Sequence, residues 1–203
     1  MARTQSSIAV SGNGQNWFLF NASPDLRQQI NGNPQLHPSH GLRTSPISGV
    51  ILTNADVDHV AGLLTIREST PLALYATERV LETLKANSIF NVLNPEFVER
   101  RSIVLGEPFE PKTPSGGTSG LIVEPFAVPG KVALYLEDPN AGDNFGTQQG
   151  DTVGVRVTSA KSGEYFFYIP GCAEVLPELE GRLADAPLIL FDGTLWQDNE
   201  MID

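Results

Sequence analysis

The stretch Ile47-Ser48-Gly49-Val50-Ile51-Leu52-Thr53, followed without a break by Asn54-Ala55-Asp56-Val57-Asp58-His59, decides how the rest of the chain reads. Its first part is an apolar, β-branched run without alternation, the pattern of a strand buried on both faces. Its second part is a polar loop at the carboxyl end of that strand. The next residues, Val60-Ala61-Gly62-Leu63-Leu64-Thr65-Ile66-Arg67-Glu68, have the apolar spacing of a helix packed on the sheet. In open α/β sheets ligands sit at such a place, beyond the end of a strand and at the start of a helix.

The same alternation extends to both sides. Upstream, Ser6 to Phe20 reads as two short strands joined by the polar turn Ser11-Gly12-Asn13-Gly14-Gln15-Asn16. Ser23-Pro24-Asp25 then predicts a helix start, with Ser23 as the cap, Pro24 at the first position and Asp25 near the positive end. Downstream, Leu72 to Ala76 reads as a strand and Glu78 to Ala86 as a helix with Val80, Leu81 and Leu84 on one face. Residues 101 to 129 read as strands around a Pro/Gly/Ser-rich turn at Pro111 to Gly120, and Pro139 to Gly146 as a loop. Val153 to Val157 and Tyr165 to Ile169 predict a second hairpin, Ala173 to Ala184 a helix, and Leu188 to Phe191 a buried strand ending on Asp192-Gly193-Thr194. No repeat or linker divides residues 1 to 203, so the expectation is one layered α/β domain with helices outside an apolar sheet core.

Composition narrows the function. With 24 acidic residues against 13 Lys and Arg, the net charge is -11 and no basic cluster interrupts it. A nucleic-acid backbone would be repelled. The single cysteine, Cys172, permits neither an intrachain disulfide nor a cysteine-based structural zinc site within this chain. The N-terminus lacks the apolar run of a secretion signal and no stretch approaches a membrane span, so the expected location is the cytoplasm.

Asp56, Asp58 and His59 fall within four residues on the loop after the buried strand, so their side chains can converge beyond the sheet edge. Carboxylate with imidazole suits a divalent ion, Fe(II), Zn(II) or Mn(II). The competing reading has Asp58 capping the next helix and His59 hydrogen-bonded in its first turn. Asp192 also follows a strand and could share the ion, or it could simply form an Asp-Gly turn. Cys172 reads as a ligand, a nucleophile or a small buried side chain. His37, His40, Asp143 and Asn144 lie in loops and read equally as site or as solvated turn residues. Neither a Gly-x-Ser-x-Gly elbow nor a phosphate loop is present, which removes serine hydrolases and P-loop nucleotide hydrolases.

These segments resemble the metallo-β-lactamase superfamily, in which a strand ends in a His-x-His-x-Asp-His loop and a Gly follows nearby. Here the loop is Asn54-x-Asp56-x-Asp58-His59, with Gly62 after it. The resemblance implies an αββα sandwich and one divalent ion, Fe or Zn, near Asp58 and His59, with Asp192 a further ligand. It also argues against the superfamily's first ion, since Asn54 and Asp56 replace the two leading histidines. After Tyr168-Ile169-Pro170, where the superfamily has a bridging Asp, this chain has Gly171 and Cys172.

Within the superfamily the chain is similar to the pyrroloquinoline quinone (PQQ) biosynthesis protein B family. The similarity rests on Ala2 to Val10, Leu19 to Gln29, His40 to Arg43, Leu52 to His59, Leu74 to Thr77, Gly142 to Asn144 and Phe191 to Trp196. The family's amino-terminal Cys-x-Cys-x-x-Cys and carboxyl-terminal His-Ile-Asn-Asn-Thr-Asn-Pro do not occur here, so a chain lacking both ends is expected, with a further ion ligand in the carboxyl-terminal part. The resemblance implies hydroxylation of the tyrosine ring in a Glu-Tyr unit, a small peptide-derived substrate, by a non-haem iron centre. Two alternatives stay open: a carrier for PQQ or its precursor, drawing on Arg27, Arg43 or Lys131, and a metal-dependent hydrolase. A homodimer is a further expectation; nucleic acid and membrane are not expected partners.

Overall fold

The computed structural model of the chain describes residues 4–38, 41, 44–66 and 69–191. Two sheets face each other. The first runs in spatial order β1 (Ile8–Val10), β2 (Trp17–Phe20), β3 (Ile47–Ile51), β4 (Leu72–Ala76) and β5 (Val98–Ser102). β1 and β2 form the expected antiparallel hairpin, and β2 to β5 are parallel. The second sheet holds β6 (Leu121–Ala127), β7 (Val153–Ser159), β8 (Tyr165–Ile169) and β9 (Ile189–Phe191), with β6, β7 and β8 antiparallel and β9 parallel to β8.

Alternation along the strands explains why the sheets stack. Phe18, Phe20, Ile51 and Tyr75 of the first sheet meet Val123, Val155, Val157 and Tyr168 of the second in one buried cluster. The opposite side chains of the first sheet, Leu19, Val50 and Leu74 among them, pack on Leu26 of α1 (Leu26–Asn31), Val60 of α2 (Val57–Val60) and Val80 and Leu84 of α3 (Glu78–Ala86). Phe126, Phe167 and Ile169 turn outward from the second sheet to Leu179 of α4 (Pro177–Leu183). The layers are therefore helix, sheet, sheet, helix, the expected αββα sandwich. No described helix is long and apolar enough to cross a membrane.

Several local expectations shift. The first helix is capped at Asp25 rather than Ser23, which is buried and donates its hydroxyl to Gln29 Oε1 at 3.1 Å. The helix expected over Val60 to Glu68 begins at Val57 and tightens to a 3₁₀ turn over Ala61–Thr65, because Gly62 is drawn against the Ala22-Ser23 backbone; Arg67 and Glu68 lie outside the described residues. The helix expected from Ala173 starts only at Pro177, which holds its first position, as proline allows there and nowhere deeper. The last strand, expected to be buried, pairs only with β8 among the described residues, and Ile189 and Phe191 are exposed.

One consequence is directly measurable. Gly181 sits on the exposed side of α4, and a Cβ added there meets nothing within 4 Å. Glycine in a helix interior costs roughly 0.5–1 kcal/mol relative to alanine. Gly181→Ala should therefore raise the urea midpoint with an unchanged slope, and a lowered midpoint would contradict the helix.

Candidate metal centre

The site is built where β3 runs out. Leu52 still donates to Tyr75 O at 2.8 Å, but the next amide, Thr53 N, donates to the Asn21 side chain at 2.9 Å, and Thr53 O accepts from Val153 N of β7 at 2.8 Å. Thr53 is thus held by both sheets. From this point the chain leaves the sheet through Asn54, Ala55 and Asp56 and enters α2.

Asp56 takes the N-cap position of α2 in extended backbone, yet its side chain makes no capping hydrogen bond. The capping role expected as an alternative for Asp58 is therefore not what this loop does, and the carboxylates are left for other work. One ligand atom from each of Asp56, Asp58 and His59 lies within 4.8 Å of the other two. Asp56 and Asp58 are half-buried, and His59 is only 3% exposed.

Asn54 determines which nitrogen of His59 is available. Its Oδ1 accepts the backbone N–H of Asp56 at 3.1 Å, and a backbone amide can only donate, so the oxygen orientation of this side chain is fixed. The same oxygen is 2.7 Å from His59 Nδ1. Nδ1 must then carry a proton, so in the neutral ring Nε2 is the nitrogen that offers a lone pair. Nε2 is buried and has no hydrogen-bond partner among the described residues. An unpaired buried acceptor costs about 1–3 kcal/mol, and an ion bound there would offset that cost. A backing acceptor on the other ring nitrogen is also the usual support of a metal-bound histidine.

Electrostatics favours a cation as well. Burial pushes the Asp56 carboxyl above its ordinary range; His59 pulls it down, the neighbouring Asp58 charge pushes it up, the Leu134 amide pulls it down, and Glu137 adds a small upward push. Two crowded carboxylates beside an imidazole form a donor set of hard oxygen and borderline nitrogen, suited to Fe(II), Mn(II) or Zn(II). These residues fit one divalent ion. They do not provide a second set, because Asn54 is engaged in orienting the loop.

A distant segment closes one flank. The 3₁₀ turn Leu134–Leu136 lies against the loop, and the Tyr135 hydroxyl donates to Ala55 O at 2.9 Å. Burial and the Asp56 charge push the Tyr135 hydroxyl upward in pKa. Val57, Ile89, Phe90 and Tyr135 line an apolar pocket of about 260 Å³ beside the loop.

Asp192, His40 and Arg43 lie outside the described residues. The described candidates are engaged elsewhere. His37 Nε2 bonds the carbonyls of Ile30 and Asn31 at the end of α1. Cys172 donates to Glu174 O at 3.1 Å. Asn144 accepts from Gly146 N at 3.2 Å, as a turn residue does, and Asp143 is exposed in the same loop. Sequence reasoning missed the orienting role of Asn54, the Asn21–Thr53 contact and the docking of Leu134 and Tyr135. The first had a signal in its proximity to His59; the last depends on tertiary contact alone.

Comparison with known proteins is consistent with this geometry. A model of the beta-lactamase superfamily domain matches residues 16–203. Coenzyme PQQ synthesis protein B of Bradyrhizobium diazoefficiens is 55% identical over 203 residues, covering 100% of this chain and 65% of that protein. The protein of the same name from Methylorubrum extorquens is 52% identical over 200 residues, covering 98% of this chain and 64% of that one. The crystal structure of Zn(2+)-bound PqqB from Methylobacterium extorquens matches with a TM-score of 0.88 at 51% identity, over 98% of this chain and 64% of that chain. A diphosphatase of the PhnP family matches with a TM-score of 0.59 at 20% identity, over 92% of this chain and 59% of that one, which is a likeness of fold alone. This chain spans slightly less than two thirds of the length of the PQQ synthesis relatives.

Proposed function

The chain belongs to the beta-lactamase superfamily and, within it, to the coenzyme PQQ synthesis protein B family, and on that basis we propose that it works in PQQ assembly. In this reading Asp56, Asp58 and His59 hold one divalent ion, and the reaction is hydroxylation of the tyrosine ring in a Glu-Tyr unit. The observation that carries it is the buried, unpartnered Nε2 of His59 beside two half-buried carboxylates. The zinc of the Methylobacterium protein supports a divalent ion in general. Iron is preferred for the reaction because carboxylate and imidazole with open positions are the ligands suited to Fe(II) and dioxygen.

When bound, such an ion would supply the activation of dioxygen that a phenol ring needs. The chain's own groups do the rest. Asn54 keeps His59 in the Nδ1–H tautomer, and the Tyr135 hydroxyl ties Ala55 of the loop to the segment facing it. Among the described residues the carrier alternative has less to draw on: Arg27 lies on α1, and Lys131 lies 5.0 Å from the Phe145 ring centre. The hydrolase alternative is weakened where Asn54 and Asp56 stand in place of the superfamily's two leading histidines.

The test is product formation from a Glu-Tyr peptide with Fe(II), ascorbate and dioxygen, run on this chain and on the Methylorubrum relative in parallel. A dihydroxyphenylalanine product one oxygen atom heavier than the substrate, lost on adding a chelator and lost in His59→Ala, is expected. Product that survives either treatment, or no product from either iron-loaded protein, would overturn the hydroxylation.

A further inference from the structure

Asn21 combines unusual features that the proposed reaction does not use. It is a fully buried polar residue, and its φ of 61° lies in the left-handed region that few residues other than glycine enter. It follows directly on β2, and its backbone amide still donates to Ile51 O at 2.8 Å, so it marks the last rung of the parallel β2–β3 ladder.

Beyond that rung the side chain takes over from the backbone. Oδ1 accepts from Thr53 N at 2.9 Å and lies 3.1 Å from Thr53 Oγ1; Nδ2 donates to Thr53 Oγ1 at 2.8 Å and reaches the Tyr168 hydroxyl at 3.4 Å. The Tyr168 hydroxyl lies 2.9 Å from Ser6 Oγ, and Ser7 Oγ donates to Asn21 O at 2.9 Å. One buried amide thus joins β8 of the second sheet to the end of β3 in the first.

The left-handed turn has a second effect, because it swings the following residue toward α2. Ala22 N donates to His59 O at 2.7 Å, and Ala22 O accepts from Gly62 N at 2.8 Å. Asn21 and Ala22 therefore grip both ends of one loop: Thr53 where it leaves the sheet, and His59 and Gly62 where it returns as a helix. Asn54 and His59, whose contact sets the free Nε2, lie between those grips.

We propose that Asn21 is a positioning residue for the ion site, bracing the 53–62 loop so that Asn54 and His59 stay in register. The claim builds on the ion reading above for one readout and is independent of it for another. Asn21→Gly keeps the left-handed backbone and removes only the amide, and Thr53→Val removes the hydroxyl while keeping the Thr53 amide. Co(II) titration of the whole chain should show affinity about tenfold weaker in Asn21→Gly, at the low end of the loss when a supporting partner of a ligand is removed, with shifted visible bands. Thr53→Val should move the same way by less. Leu84→Ala, a cavity on α3 outside the brace, should lower the melting temperature and leave the cobalt spectrum unchanged.

Imidazole ¹⁵N spectra of the metal-free chain supply the independent readout. The parent should hold His59 as the Nδ1–H tautomer, and both brace variants should show a mixture. If Asn21→Gly does not fold, Thr53→Val alone decides. Unchanged Co(II) affinity and an unchanged tautomer in the folded variants would overturn the brace. A parent that binds no Co(II), yet loses its tautomer in the variants, would defeat the ion reading and leave the brace standing.

Discussion

His59→Ala is expected to weaken divalent-ion binding by at least about a hundredfold, the upper end of the loss when only a ligand's supporting partner is removed, while barely changing the stability of the ion-free chain. The substitution deletes the one nitrogen donor of the cluster and leaves two half-buried carboxylates. In the ion-free protein two effects oppose each other. Removing the imbalance at Nε2 recovers about 1–3 kcal/mol from an unpaired buried acceptor, and the cavity left in a site only 3% exposed costs a comparable amount. The parent should instead gain about 2.7 kcal/mol from zinc at a hundred times its dissociation constant, or roughly 5–10 °C for a chain of this size. Thermal melts with chelator and with zinc therefore separate the roles: the zinc-induced rise should vanish in His59→Ala while the chelator curve stays close to the parent's. A zinc-induced rise that survives the substitution would place the ion elsewhere.

The sequence made the strand, loop and helix around residues 47–62 legible because each element carries its own period. The β-branched, apolar run of β3 is of the kind found in a strand covered on both faces, and it is parallel to both neighbours and buried throughout. Asp56, Asp58 and His59 were legible as a group because local chain geometry confines them to one short turn. Less legible was everything set by a partner far along the chain. Ser23 does not cap the first helix, because its hydroxyl is spent on Gln29 and the N-cap position falls to Asp25, whose side chain makes no capping bond. Asn54 occupies the place of a superfamily histidine and so reads as a lost ligand, yet its amide sets the proton on His59. The Tyr135 hydroxyl on Ala55 O comes from a loop whose own sequence shows only exposed Leu134, Tyr135 and Leu136.

Gly62 is where fold and site depend on the same few atoms, and Gly62→Ala should cost at least about 3 kcal/mol. A Cβ at this position would lie 2.3 Å from Ser23 O, 2.7 Å from Ala22 O and 2.8 Å from Ala22 C, all of them backbone atoms. Overpacking costs about 1–3 kcal/mol even where side chains can give way, and these atoms cannot rotate aside. Relief requires α2 to separate from the Ala22 corner, which breaks the Gly62–Ala22 hydrogen bond of 2.8 Å and adds about 1 kcal/mol or more. The corner cannot retreat instead, because Asn21 beside it is tied to Thr53 and Ile51. For a chain of this size the loss corresponds to a melting temperature lower by roughly 6–12 °C. Ion affinity should fall with it, since the same displacement pulls His59 O from Ala22 N and carries the imidazole away from Asn54. Calorimetry and zinc titration of Gly62→Ala beside Gly181→Ala test the argument, because the two make the same chemical change and should move stability in opposite directions. Equal small shifts from both would mean that the α2 contact yields without strain, and the loop would then need some other source of its rigidity.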